Sequence, residues 1–382
     1  MVKENLENIF KNNFRTSPRF FKAPGRINLI GEHTDYNEGF VLPAGIDKYC
    51  SIAIGPSLQK TSRIIAADFN DEISFEDIPY QPSSLHWINY VWGVMHAFKK
   101  RGFSVPPFEA VIQSDIPVGA GLSSSAALEV VFAKAFNEIH RFNLTDIELT
   151  RIAKEAENNF VGLQCGIMDM FASVHAKKDF AIKLDCRNLD FEYVPLHLGA
   201  NKILLIDTCI KHELASSEYN QRRLECEGAV LKLNQAGIQA HSLRDVSLED
   251  IVRVKSTLTE FEFKRAMYVV EENKRLDAFV AAVSKSDWKR AGDLLCASHQ
   301  GLRDDYQVSC SELDFLVDFI KSLDGIWGGR LMGGGFGGCT INLVEAEKID
   351  EIKSNITAAY RKQFGIDPKY YIASTGDGAC EF

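Results

Sequence analysis

The chain has no Cys-x-x-Cys pair among its nine cysteines. An odd number of them, scattered from Cys50 to Cys380, argues against a disulfide framework or zinc site and for reduced thiols serving mostly as buried fillers. No apolar run approaches the roughly 18 to 20 residues that a membrane span needs, so no membrane partner is expected. The opening MVKENLENIFKNNF carries acidic residues and lacks both an apolar core segment and a small-residue cleavage site. It reads as a short amphipathic helix rather than a secretion signal, and a cytoplasmic protein is expected. Basic residues are short too, with 43 Lys+Arg against 52 Asp+Glu and a net charge of -9. That balance argues against a sequence-independent nucleic-acid binder, which needs a basic face. A small anionic ligand stays open, because helix N-termini and backbone N–H groups bind phosphate without net positive charge. Repeats of fixed period and low-complexity tracts are also absent, which sets aside solenoids and linker arrays.

What the chain has is length and apolar content. Its 382 residues, 46% of them hydrophobic, suffice for two domains. In the first half the β-like runs FVLPAGI, YCSIAI, SRIIAAD and FEAVIQSDI alternate with helical stretches around Trp87 to Lys100, Ser124 to Ile139 and Ile147 to Phe160. After DFAIKLDCRNLDFEYVPL, the run KILLIDTCI reads as a strand, and helices fill Ser216 to Ile320. A glycine cluster then feeds the strand CTINLV, followed by a helix near Asp350 to Gln363 and a last β-like run, KYYIAS. The whole is an α+β pattern, with a boundary between halves near residues 185 to 200.

The stretch DIPVGAGLSSSAALEVVFAKAF carries the clearest chemistry. A β-like run ends at Ile116, Gly119 and Gly121 allow backbone shapes closed to other residues, and Ser123 to Ser125 lead into a helix with the stripe Leu128, Phe132, Ala135 or Phe136, and Ile139. Free N–H groups and the positive end of the helix dipole meet there, which suits a polyphosphate. The pattern is neither Gly-x4-Gly-Lys-Ser/Thr nor Gly-x-Gly-x-x-Gly, since no Lys follows and Ser124 stands at the last glycine's place. An ordinary N-capped helix is the plainer reading. One hydroxyl suffices for a cap, however, and the other serines remain free for phosphate or Mg2+.

Phosphate chemistry also needs acidic groups. Glu157 borders the stripe Leu149, Ile152, Ala153, Ala156 and Phe160, and periodicity alone favours a solvated side chain. Asp169 lies in LQCGIMDMFASVHA among apolar neighbours, where a lone carboxylate needs a partner or a function. It reads equally as a helix N-cap for MFASVH or as a catalytic group, with Arg26 as an available counter-charge. Upstream, GRINLIGEHTDYNEGFVLP places Arg26, Glu32, His33 and Asp35 in a segment that otherwise reads as strand and tight turn. Turn chemistry accounts for Thr34 to Gly39 but not for His beside Glu.

These residues resemble the galactokinases, within the superfamily named for galactokinase, homoserine kinase, mevalonate kinase and phosphomevalonate kinase. GRINLIGEHTDYNEGFVLP is similar to the galactokinase signature, PVGAGLSSSAALE to the superfamily's phosphate loop, and LMGGGFGGCTINLV to its C-terminal glycine motif. CGIMDMFAS, KHELASSEYNQRRLECE and LRDDYQVSCSELD also look like galactokinase segments, so the resemblance runs from about Phe21 to the C-terminus.

The resemblance implies an N-terminal domain over residues 1–195 like domain 2 of ribosomal protein S5, a ferredoxin-like domain over 196–382, and an active site between them. It implies ATP-dependent phosphorylation of α-D-galactose at the anomeric hydroxyl, the entry step of galactose catabolism, with Mg2+. Glu32, His33, Thr34, Asp35, Gly166 and Tyr219 match sugar-binding positions, and Asp169 and Arg26 the catalytic ones. Gly119, Ala120, Gly121, Leu122, Ser123, Ser124 and Ser125 match the ATP loop, Ser125 and Glu157 the Mg2+ positions, and Gly333 to Gly338 would close over the site. Met170 departs from the family's usual Gln, which removes an amide beside the carboxylate. A monomer is expected, with no obligate protein partner evident. A galactose and ATP sensor is the alternative class, and N-acetylgalactosamine or L-arabinose the alternative substrates; the intact Ser125-Ala126-Ala127, with Arg26 and Asp169, favours catalysis.

Overall fold

The computed structural model describes residues 2–79, 81–117, 119–211 and 215–382; Val118 of the glycine loop and His212 to Leu214 of KHELASSEYN lie outside the described residues. The alternating apolar runs of the first half form a sheet of six strands in the order Cys380–Glu381, Arg19–Asn28, Pro43–Pro56, Phe108–Ser114, Ser62–Ala66, Asp71–Phe75. All pairings are antiparallel except that of Ser62–Ala66 with Phe108–Ser114. Both faces are covered, so the period of two separates two sets of contacts. Ala53 and Val111 pack under Leu6 and Phe10 of the helix Val2–Asn13, while Ile52, Ile54 and Ala110 face the helices His86–Lys100 and Ser124–His140. In the latter helix Leu128, Phe132, Ala135 and Phe136 are buried as the stripe requires, and Ile139 is half-buried.

The helix expected to run to Phe160 does not. It is α-helical over Asp146–Ala156, opened by a capping box between Thr145 and Glu148, and Glu157–Val161 is a π-helical turn closed by Gly162. Glu157 itself keeps α-helical dihedrals, so the wider turn shifts the phase only of the residues beyond it.

The segment left unassigned by its pattern is a hairpin, Phe180–Asp185 with Phe191–Pro195, which joins Phe40–Val41 in a small sheet. From Asn201 the chain builds a second, antiparallel sheet in the order Ile326–Leu331, Gly337–Glu345, Asn201–Lys211, Lys369–Ala373. The helical stretch from Ser216 divides into Ala215–Gln235, Leu248–Arg253, Glu260–Ser284, Trp288–Asp304 and Ser311–Ile320, and Ile349–Phe364 follows. One apolar cluster runs through both halves, with Phe132 and Phe136 in the same body as Ile203, Leu276 and Ile341. The two sheets therefore hold a cleft between them on a shared core. The cysteines correct the filler expectation: Cys50, Cys226 and Cys339 are buried, Cys209 is exposed, and the other five are half-buried.

Candidate active site

The strand Arg19–Asn28 carries a bulge between Pro24 and Arg26, and the Arg26 side chain reaches the helix Met168–His175. Arg26 Nε donates to Asp169 Oδ1 and Nη2 to Asp169 Oδ2, both at 2.8 Å, a planar two-pronged pair in which Arg26 is 5% and Asp169 28% exposed. Nη1 donates to Gly121 O at 2.6 Å, and Arg26 N–H donates to Leu122 O at 3.1 Å, so the strand also fixes the glycine loop. The N-cap alternative for Asp169 is overturned, because the cap position is Ile167 and Asp169 lies in the first turn.

The serines also divide differently from an ordinary cap. Ser123 occupies the cap position of Ser124–His140 with a left-handed backbone, φ 56°, and its side chain caps nothing. Its hydroxyl donates instead to Asp169 Oδ2. A carboxylate has about four acceptor positions, and with Arg26 and Ser123 in place one on Oδ1 is left. Ser125 Oγ donates to Glu157 Oε1 at 3.2 Å. Glu157 is 4% exposed, which overturns the solvated reading: it keeps α-helical dihedrals and lies four residues after the buried Ala153, on the inward face of its helix. Burial, reinforced by the charge of Asp169, pushes its carboxyl up to about 7. One helical turn beyond Ser125, Glu129 is fully buried with both carboxyl oxygens unpartnered, and burial beside Glu157 and Asp169 pushes it well above the usual range.

The signature turn forms the opposite side of a cavity of about 140 Å³ lined by Arg26, Glu32, His33, Asp35, Leu163, Cys165, Gly166, Met168, Asp169, Tyr219, Gly333 and Gly334. Asp35 Oδ1 accepts Tyr36 N–H at 2.9 Å, and its carboxylate lies on Gly166 so closely that a Cβ there would fall 1.7 Å from Oδ2. Burial, then the nearby Asp169, pushes Asp35 up to about 6. His33, at φ 61°, is held neutral by burial, its pKa lowered to about 3. Nε2 lies 3.3 Å from Gly334 O, which can only accept, so Nε2 carries the proton and Nδ1 accepts from Tyr36 OH at 2.7 Å. Tyr306 OH, 2.9 Å from Tyr36 OH, then donates to it, and the tautomer is set by a chain of hydroxyls. Tyr219 packs its ring 5.2 Å from that of His33. Thr34 stands apart from the cavity lining: its hydroxyl donates to Phe40 O at 2.6 Å and lies 2.9 Å from Gly31 O, closing the turn.

The first glycine loop and the second meet over this cavity. A side chain on Gly333 would stand 3.6 Å from Gly121 O, and one on Gly338 would stand 3.9 Å from the Ala120 carbonyl carbon. Ala120 and Leu122 are buried beneath the loop, while Gly119, Gly121, Ser123, Ser124 and Ser125 keep surface at its mouth. Met170 is fully buried in the main core, so the position after Asp169 faces away from the cavity and the carboxylate takes its orientation from Arg26 and Ser123. Pattern reading missed Arg330, a fully buried cation one turn of sequence before the second glycine loop. A charge inside the apolar strand run IWGGRLM was its only signal.

Comparison with known proteins identifies the family. Residues 8–56 match the family described as the galactokinase galactose-binding signature, 89–177 the GHMP kinases N terminal domain, and 279–362 the GHMP kinases C terminal. The galactokinase of Thermotoga maritima is 46% identical over 94% of this chain and 98% of its own length, and that of a Roseiflexus species 43% over 94% and 91%. Among solved structures, the galactokinase of Lactococcus lactis complexed with galactose superposes with a TM-score of 0.95 at 32% identity, covering all of both chains. The mevalonate kinase of Methanococcus jannaschii, at 18% identity and a TM-score of 0.69 over 95% of this chain and 100% of its own, shares the fold.

Proposed function

This chain belongs to the galactokinase family, and from that premise we propose that the cavity seats α-D-galactose with its anomeric hydroxyl at Asp169 and Arg26. The reaction is transfer of the γ-phosphoryl group of ATP to galactose. One observation supports the assignment of roles above all others: Asp169, aligned by Arg26 and Ser123, keeps one acceptor position and sits where the sugar cavity meets the N-terminus of Ser124–His140. Asp169 orients and accepts the proton of the sugar hydroxyl. The freed oxygen bonds to the γ-phosphorus as the bond to ADP breaks, and Arg26 stabilises the charge that develops. Gly119 to Ser125 bind the phosphates through loop and helix N–H groups. Glu32, His33, Asp35, Gly166 and Tyr219 hold the sugar, with Thr34 holding their turn.

The donors also fit Mg2+. Among the described residues no cluster of three or more His, Cys, Asp or Glu is arranged for a metal. An Mg2+ ion at a nucleotide, though, takes one or two protein oxygens and completes its shell with phosphates and water. Ser125 and Glu157 provide two hard oxygen donors side by side. The ion would neutralise charge on the phosphates. We further infer two domains over residues 1–195 and 196–382, and a monomer working in the cytoplasm, a reading supported by nine unpaired cysteines. Among the described residues no helix is long and apolar enough to cross a membrane.

A coupled ADP-release assay over galactose, glucose, N-acetylgalactosamine and L-arabinose tests the substrate. Galactose should exceed glucose by several orders of magnitude in kcat/KM, because a site that hydrogen-bonds a hydroxyl rejects an epimer that presents it elsewhere. Equal specificity constants, or a clear preference for another sugar, would replace the reading; binding of both ligands without ADP release would make the protein a sensor.

A further inference from the structure

We propose that Arg330, on the strand Ile326–Leu331 of the second half, positions Glu32 and thereby controls recognition of one sugar hydroxyl; the proposal rests on the reading of the cavity as a galactose site. Arg330 is completely buried. Its Nη1 donates to Glu32 Oε2 at 2.9 Å and to Leu331 O at 2.6 Å, Nε to Leu29 O at 2.9 Å, and Nη2 to Asn28 O at 2.6 Å. Gly333 N–H donates to the same Glu32 oxygen at 2.9 Å. Two donors from the second half thus occupy Oε2, and Oε1 is the oxygen left for the cavity that Glu32 lines.

The arrangement is a cross-half splint. Arg330 grips the carbonyls of Asn28 and Leu29, where the first strand leaves its sheet, together with the carboxylate three residues on. Tyr268 OH donates to Glu32 O at 2.9 Å and Gly31 N–H to Glu272 Oε1 at 3.1 Å, so the backbone of the same turn also rests on the second half. Acceptors in three directions match the planar fork of a guanidinium and not the compact ammonium of lysine. Arg330 touches no substrate; it acts through Glu32.

The test uses the full chain as wild type, Arg330→Lys, Glu32→Gln and the double variant. Calorimetry and steady-state kinetics are run with galactose and its 2-, 3-, 4- and 6-deoxy analogues. Arg330→Lys should raise the galactose Kd and KM by roughly tenfold or more, the loss of one charge-assisted hydrogen bond, with kcat and the KM for ATP changed less than about threefold. One deoxy analogue, the same for both single variants, should lose almost nothing, and the double variant should fall short of the sum of the singles. Parallel weakening of galactose, all analogues and ATP would reduce Arg330 to a structural role, and so overturn the proposal, as would unchanged galactose affinity or strict additivity. If Arg330→Lys does not fold, Glu32→Asp decides. It leaves Arg330 on its backbone carbonyls but is too short to meet Arg330 and the sugar together, so retained galactose affinity overturns the proposal and loss confined to one hydroxyl upholds it. Failure of the substrate reading is distinct: wild type itself then binds no galactose, and the proposal falls with it.

Discussion

Gly119 to Gly121 and Gly333 to Gly338 face each other over the cavity, both with left-handed glycines, but they join different elements. The first opens the helix Ser124–His140, whose leading N–H groups have no helical partner and whose flanking hydroxyls turn to Asp169 and Glu157. The second joins two antiparallel strands, and several of its backbone groups are engaged within the protein. Gly333 N–H is on Glu32, Gly334 O faces His33, Phe336 N–H is on Val308 O, and Gly338 O accepts from Thr208. In the function proposed, the first loop presents donors to ATP and the second holds residues that line the sugar cavity. Glycine content does not distinguish the two tasks. The element that follows each loop does.

The largest expected effect lies on the ligand side. Asp169→Asn keeps the shape of the side chain and removes the proton acceptor, so kcat should fall by about 10²- to 10⁴-fold. Calorimetry should still detect galactose binding, since the sugar contacts proposed for Glu32 and Asp35 do not involve the substituted group. Turnover close to wild type would take the catalytic role from Asp169 and leave the first loop without its chemical centre.

The holding side should break differently. Gly335 sits at φ 78°, and a Cβ there would stand 2.1 Å from Val308 O, the carbonyl on which the loop is seated. Gly335→Ala should therefore lower the denaturation midpoint by an amount equivalent to about 1–3 kcal/mol at unchanged m-value, with kcat following the folded fraction. A wild-type midpoint with lost turnover would move the second loop to the ligand side and end the distinction.

Much of the ligand side was legible because it is local. A strand end, two glycines and a serine run announce a helix N-terminus within ten residues, and an acid among apolar neighbours demands a counter-charge, which Arg26 provides. What escaped depends mostly on distance. Glu157 sits at the edge of an apolar stripe, and whether such a carboxylate is covered depends on what packs over it: Ser125, which donates to it, is 32 residues away. One hydroxyl of the serine run read as a cap, yet that of Ser123 goes to an acceptor 46 residues away. Arg330 and Glu32 are separated by 298 residues, and no periodicity reports such a pair. The hairpin Phe180–Pro195 has few buried positions on its outer strand, where only Val194 is covered, so the alternation that marks a strand is faint there.

The smallest effect sharpens the comparison at the sugar. Burial and Asp169 raise Asp35 to about 6, so the proton favours the folded, sugar-free protein: stability from this group is complete below the unfolded value near 4 and is lost as pH rises through 6. A sugar hydroxyl donating to Asp35 needs the carboxylate, and below pH 6 galactose must displace that proton. The KM for galactose should thus be level above pH 7 and rise as pH falls, by about fourfold at pH 5.5. His33 cannot cause this change, since burial keeps it neutral down to about 3. Asp35→Asn should bind galactose more weakly at every pH and lose the rise. A wild-type KM that stays flat from pH 7 to 5.5, or a rise that survives in Asp35→Asn, would remove Asp35 from direct sugar recognition and leave it, like Thr34, as part of the turn.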